Sequence, residues 1–389
     1  MIRKSVLKYF PLIFLLLLAS LEFILLLRHK SPYMSDSYFY QHIYYQMQGD
    51  SYGEAHDKIL KKLDVNKLSN IEKNMFFNAD KYQYSLSRYV RRPLYPFMAL
   101  LTNFIVRNDY LAFLLPVFVS YLGVIAITYL LFRYRFDLFW STLGTLLFMR
   151  FYPYLDWSTY FLTDTIGAFF WMLQIYLIIK YIIKPQSLIL IVYVISLILS
   201  LLAREQSVLM ILIVVGVFII NKIYQQKNEK FNTYKKLFIA SSIITIIFFI
   251  INTVFKFPSL YDSWIYLQSN FGYNNQNYSL IETARFLWGE LIKLHVGLVD
   301  ELVRHRWWLI ITFLGFYGTF LLFIKHKKTQ LIDILIFVSA LASYIGLIII
   351  PYLTYRYFYP TIIGIIYFAI YSINIIFYPK TADKIKRLK

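Results

Sequence analysis

Ten apolar stretches constrain this chain more than any other feature: 9–27, 111–132, 138–152, 165–183, 187–203, 205–221, 237–255, 307–324, 331–350 and 359–378. A helix crosses a bilayer with about 20 mainly apolar residues, in a range of about 17–25. Most of these stretches meet that length, and the third is short. The pattern predicts an all-α polytopic membrane protein. Of its 389 residues 59% are hydrophobic, which excludes an ordinary soluble domain. The first stretch follows Arg3, Lys4 and Lys8 and has no small-x-small cleavage site after it, so it reads as a retained signal anchor. Pro93–Val106 is also apolar, but it is short and carries Pro93 and Pro96. It reads as an interfacial or re-entrant segment.

Charge then assigns the sides. With the N-terminus in the cytoplasm and ten alternating spans, the inner pieces hold 20 of the 40 Lys+Arg and only four acids. The outer pieces hold the other 20 with 16 acids. Short inner turns such as Arg133–Asp137 (RYRFD) and Lys325–Gln330 (KHKKTQ) follow the positive-inside rule. Counting Pro93–Val106 as a span would put KHKKTQ outside. The formal charge of +19 therefore reads mainly as membrane topology, with no need for nucleic acid. Both termini are expected in the cytoplasm. Two long outer loops result, at about 28–110 and 256–306. The first has amphipathic patterning at Ser51–Leu63 and Asn70–Tyr89, the second at Ile281–Val296. Such helices are expected along the membrane surface. The chain divides into a membrane module over 1–255, containing the first loop, and a part over 256–389 with the second loop and the last spans.

Ionisable residues at membrane level then define the candidate chemistry. On the outer side stand Asp36, Arg91, Arg92, Arg150, Asp156, Asp164, Arg204, Glu205 and Arg356. Charges beside apolar spans are costly, so they tend to be paired or functional. Each has a plainer reading too. Asp36 and Asp164 could cap helices. Arg91, Arg92 and Arg356 could anchor the interface, and Arg204–Glu205 could be a local ion pair in a tight turn. Without Cys, thiol chemistry and Cys-ligated metals are excluded. His42, His56, His295 and His305 share no metal-ligand spacing, and there is no Walker loop or dinucleotide fingerprint. No metal site and no organic cofactor are expected from the residues. A requirement for a divalent cation stays open.

Four short motifs in order along the chain carry a resemblance: Asp36 in MSDSYFY after the first span, Arg92 in RRPLYP, Asp164 in FLTDT, and Arg356-Tyr357-Phe358-Tyr359-Pro360 before the last span. This layout resembles the GT-C superfamily of polyprenyl-phosphate-sugar-dependent glycosyltransferases, from the first span to Pro360. Two features depart from it: Ser37 stands where many relatives have a second acid, and no large soluble C-terminal domain follows. The resemblance implies a polyprenyl-phosphate-sugar donor in the membrane lipid and a glycan, lipid or protein acceptor. It implies Asp36 as the catalytic base at the outer face and Arg92 and Arg356 as the first ligands of the donor phosphate. Arg91 and Arg204 come next, and Asp164, Glu205 and Tyr357 support them. A polysaccharide polymerase or ligase, and a transporter or flippase of lipid-linked saccharide, are the alternatives. The transport reading asks for charges deep in the spans, where only Glu22 and Asp333 stand as candidates.

Overall fold

The computed structural model describes residues 2–225, 231–269, 278–326, 329–351 and 358–377. It is built of helices: α1 (Ile2–Leu27), α2 (Ser35–Met47), α3 (Tyr52–Lys62), α4 (Asn70–Phe77), α5 (Ala79–Val90), α6 (Leu94–Val106), α7 (Asp109–Phe132), α8 (Leu138–Met149) and α9 (Tyr152–Ser158). There follow α10 (Asp164–Ile183), α11 (Ser187–Ala203), α12 (Met210–Gln225), α13 (Phe231–Val254), α14 (Leu260–Gln268), α15 (Leu280–Arg304), α16 (Arg306–Phe320), α17 (Leu331–Ile349) and α18 (Tyr359–Phe377). Among the described residues, eight helical segments are long and apolar enough to cross a membrane. They correspond to α1, α7, α10, α12 with the turn before it, α13, α16 with the turn after it, α17 and α18. Three shorter apolar helices are α6, α8 and α11. Of the ten expected spans, eight are thus long helices, and α8 and α11 account for the other two. With 13 and 12 residues, α6 and α8 are each about 20 Å long, both under a hydrocarbon core of about 30 Å, and α6 differs in carrying Pro96 and following Pro93.

Contacts between distant residues sort the helix ends into two groups. At one end, Arg135 from the α7–α8 turn lies 3.6 Å from Asp333 at the start of α17. The Tyr367 hydroxyl of α18 donates to the same carboxylate at 2.5 Å. At the other end, Lys30 pairs with Asp156 at 2.7 Å, Arg91 donates to the Pro258 carbonyl, and the Trp264 indole donates to the Ile349 carbonyl. Up-and-down alternation of the spans requires this sorting. Glu22 and Asp333, the two charges considered as deep, are paired near these ends: Glu22 lies 2.9 Å from Arg150.

Close packing is sharpest between α16 and α18. A Cβ added at Gly318 would lie 2.0 Å from the Phe368 carbonyl oxygen, and one at Gly315 would lie 2.7 Å from that of Ile365. Two glycines three residues apart thus clear one stripe of α16 so that the backbones can touch, the usual solution where lipid removes the hydrophobic drive.

The first long loop is anchored by aromatics. Tyr40 and Tyr44 are one turn apart on α2, so both face the membrane helices. Tyr40 packs on Tyr95 of α6, whose hydroxyl donates to the Phe113 carbonyl at 3.0 Å. Tyr44 packs edge-on against Phe113 and donates to Asp109 at 2.7 Å. Phe39 on the next face stacks on Tyr89 of α5 with centroids 4.7 Å apart. Ordering α2 in this way fixes Asp36 at its start.

His42, on the same helix, is wholly buried, and its Nδ1 lies 2.9 Å from the Tyr82 hydroxyl. Burial, aided by the neighbouring His56, pulls the imidazole down from 6.5 to about 4. The folded loop therefore binds fewer protons than the unfolded chain between those values, and stability is complete above pH 6.5 and lost as the pH falls toward 4. The melting temperature of the purified protein should drop as the buffer goes from pH 7 to pH 5. His42→Gln should flatten that slope. An equal slope in the variant would assign it to other groups.

Candidate active site

Six of the eight expected site residues lie among the described residues, and contacts join them into one belt at the end of the bundle that also holds the long loops. Arg356 and Tyr357 lie outside the described residues.

Asp36 sits in the first turn of α2, where a carboxylate is favoured by the helix dipole. The N-cap is Met34, so the capping reading of Asp36 does not hold. The Tyr89 hydroxyl donates to Asp36 Oδ1 at 2.7 Å. Burial, and then the negative charge of Asp36, push the Tyr89 phenol well above its ordinary value. It therefore stays protonated and keeps donating. Tyr266 of α14 also approaches Asp36, which raises its phenol, although burial is the larger cause. Its ring packs under the Arg88 guanidinium, 3.9 Å from the centroid. Arg88 in turn donates to the Asp262 carbonyl at 2.7 Å. The second long loop is thereby tied to the first beside the carboxylate.

From Asp36 the belt runs through Tyr89, whose ring packs edge-on against Tyr40 with centroids 5.2 Å apart; Tyr40 stands four residues after Asp36, on the same helix face. Its hydroxyl meets Thr163 Oγ1 at 3.0 Å and also hydrogen-bonds Arg92. Arg92 grips Glu205 in bidentate fashion, with Nε to Oε1 and Nη2 to Oε2 both 2.9 Å. Arg91 Nε lies 2.7 Å from the same Oε1. One residue earlier, Arg204 forms a buried ion pair with Asp164, the two side chains being 7% and 4% exposed. Arg204 and Glu205 therefore do not pair with each other. Arg204 has extended backbone (φ −161°, ψ 128°), and extended backbone sends successive side chains to opposite faces. Asp164 is the first residue of α10 after Thr163, so it is not the cap.

A cavity of about 20 Å³, with room for about one water, lies beside this pair. It is lined by Asp164, Gly167, Trp171, Arg204, Tyr359 and Pro360 among others. A Cβ at Gly167 would stand 3.1 Å from Arg204 Cδ, so the bare helix face there gives the arginine its room. Tyr359 and Pro360, from the described end of the late motif, line this cavity together with Asp164 and Arg204.

Sequence reasoning missed Tyr40, Tyr89, Arg88 and Tyr266. Tyr40 was within reach, because it follows Asp36 by one helical turn. Nothing local marks Tyr89 among 36 tyrosines. Among the described residues, no group of three or more His, Asp or Glu could hold a metal ion.

Fold and belt together define a multi-pass membrane protein with paired arginines and acids gathered at one end of its bundle. Residues 90–255 match the dolichyl-phosphate-mannose-protein mannosyltransferase family, which belongs to the GT-C superfamily. The matched segment contains Arg91, Arg92, Asp164, Arg204 and Glu205, and over that segment the chain is similar to membrane glycosyltransferases of the GT-C kind. No curated protein matches the chain.

Proposed function

We propose that the protein moves a hexosyl or pentosyl group from a polyprenyl-phosphate-linked donor to a glycan, lipid or protein acceptor at the outer face of the membrane. In this reading Asp36 takes the proton of the acceptor hydroxyl. The acceptor oxygen then bonds to the anomeric carbon, and the bond from that carbon to the phosphate oxygen breaks. Polyprenyl phosphate leaves with about one more negative charge than it brought. Arg92, Arg91, Arg204 and Arg356 meet that charge. Guanidinium groups stay protonated and bind phosphate oxygens in pairs, and fixed donors aimed at developing charge lower such barriers. Asp164, Glu205 and Tyr357 orient these groups. The charge bias of the loops supports cytoplasmic termini and an outer site.

The observation that carries the reading is the chain of contacts from Asp36 through Tyr89 and Tyr40 to Arg92 and Glu205. It joins a carboxylate to arginines across three separate parts of the chain. The test is binding and transfer with a labelled polyprenyl-phosphate sugar in detergent or proteoliposomes. Arg92→Ala should weaken donor binding by about ten- to hundred-fold, the value of one charge-assisted contact of about 1.5–3 kcal/mol. Arg92→Lys should retain part of it. Normal binding of polyprenyl phosphate by Arg92→Ala would leave Arg92 as an interface anchor. Translocation of the labelled lipid without transfer would favour the flippase reading instead.

A further inference from the structure

We propose that Glu205 is a placeholder, occupying the donor phosphate's seat on Arg92 and yielding it when the donor arrives. This rests on the reading of Arg92 as a phosphate ligand. A carboxylate and a phosphate offer the same two-oxygen edge to a guanidinium fork. Glu205 fills the Nε–Nη2 edge of Arg92. A phosphate taking that Nε–Nη2 edge must therefore displace at least one Glu205 oxygen.

Three features make the exchange feasible at this pair and not at the neighbouring one. First, Glu205 has two cations: besides Arg92, Arg91 Nε lies 2.7 Å from its Oε1. Arg91 is itself pinned, its Nη1 donating to the Pro258 carbonyl at 2.7 Å. Glu205 can withdraw to Arg91 without leaving a bare charge, and Arg92 is released to the phosphate. Second, two guanidiniums on one carboxylate leave a local charge of about +1, which draws an anion. Third, Arg92 and Glu205 are 19% and 23% exposed, against 7% and 4% for Arg204 and Asp164. The first pair is the more open of the two, so an arriving phosphate meets it first. The placeholder also serves the end of the reaction. The product, polyprenyl phosphate, is a stronger anion than the donor, and the return of Glu205 competes it off.

The test is binding of polyprenyl phosphate, as the probe, to the full-length protein and to four variants with melting temperatures recorded. Glu205→Gln removes the competing charge and should bind about tenfold more tightly, about 1.4 kcal/mol. Glu205→Asp keeps the charge but cannot span both arginines, so it should bind with intermediate strength if it too is folded. Arg92→Ala should bind more weakly. In the double variant Arg92→Ala/Glu205→Gln the gain should vanish, because it passes through Arg92. If Glu205→Gln and Glu205→Asp bind no better than wild type while Arg92→Ala weakens binding, Glu205 merely orients Arg92 and the proposal falls. If Arg92→Ala binds normally, the phosphate reading itself is at fault. The two failures are separate.

Discussion

Asp36→Asn should be folded, should bind donor and should transfer sugar about 10²–10⁴-fold more slowly, the usual worth of a general base. The stability side follows from the contacts. Asp36 does not cap α2, since the cap is Met34. Asn keeps the size, and its amide oxygen can still accept from Tyr89. The change forfeits a negative charge in the first helical turn, worth about 0.3–1 kcal/mol. The packing that holds α2, through Phe39, Tyr40 and Tyr44, is untouched. Donor binding should survive as well, because a negative charge is removed from near an anion site. Asp36→Glu keeps the charge and moves the carboxylate by one methylene, on the order of 1 Å, which can cost about 10²-fold in rate. Transfer of label, thermal stability and donor binding on the two purified variants decide the matter. A folded Asp36→Asn protein that works at near-wild-type rate removes Asp36 from the mechanism.

The membrane helices are legible in the sequence and the belt is not, for physical reasons that particular residues show. Runs of about 20 apolar residues have one solution in lipid, so α7, α10 and α18 were legible almost to the residue. Interfacial helices carry a weaker signal, and their limits moved. Ile281–Val296 became Leu280–Arg304, because Val299, Leu302 and Val303 continue the same apolar face. Asn70–Tyr89 became two helices, because the Asn78 side chain accepts from the Lys81 amide and starts a new one. That signal was local and available. Pairing was not. Arg204 and Glu205 are neighbours in sequence and looked like a pair. Only the extended backbone at Arg204 reveals that one turns to Asp164 and the other to Arg92. Asp36 and Tyr89 are 53 residues apart, and nothing in either stretch announces the other. Order along the chain suggested which residues belong to one site. Which of them touch is a property of the packed helices.

The second large effect belongs to the buried pair of Asp164 and Arg204. Asp164→Asn leaves Arg204 charged in a nearly closed space without the carboxylate it faces. Removing one member of a buried ion pair typically costs about 3–5 kcal/mol, because the remaining charge is stranded. Two features place this case at the lower end, about 3 kcal/mol. Asn can still accept a hydrogen bond, and the adjoining cavity can admit a water to the guanidinium. Replacing both members with apolar or neutral groups avoids the stranded charge, and such swaps are often neutral in stability. The double variant Asp164→Asn/Arg204→Met should therefore melt closer to wild type than Asp164→Asn alone. That recovery separates folding from function. If the pair only holds α10 against the α11–α12 turn, the double variant regains activity with its stability. If Arg204 meets the phosphate, as proposed, the double variant is folded and transfers poorly. Melting curves and transfer rates of the two proteins give the answer. An Asp164→Asn protein that melts like wild type would show that Arg204 does not depend on this carboxylate.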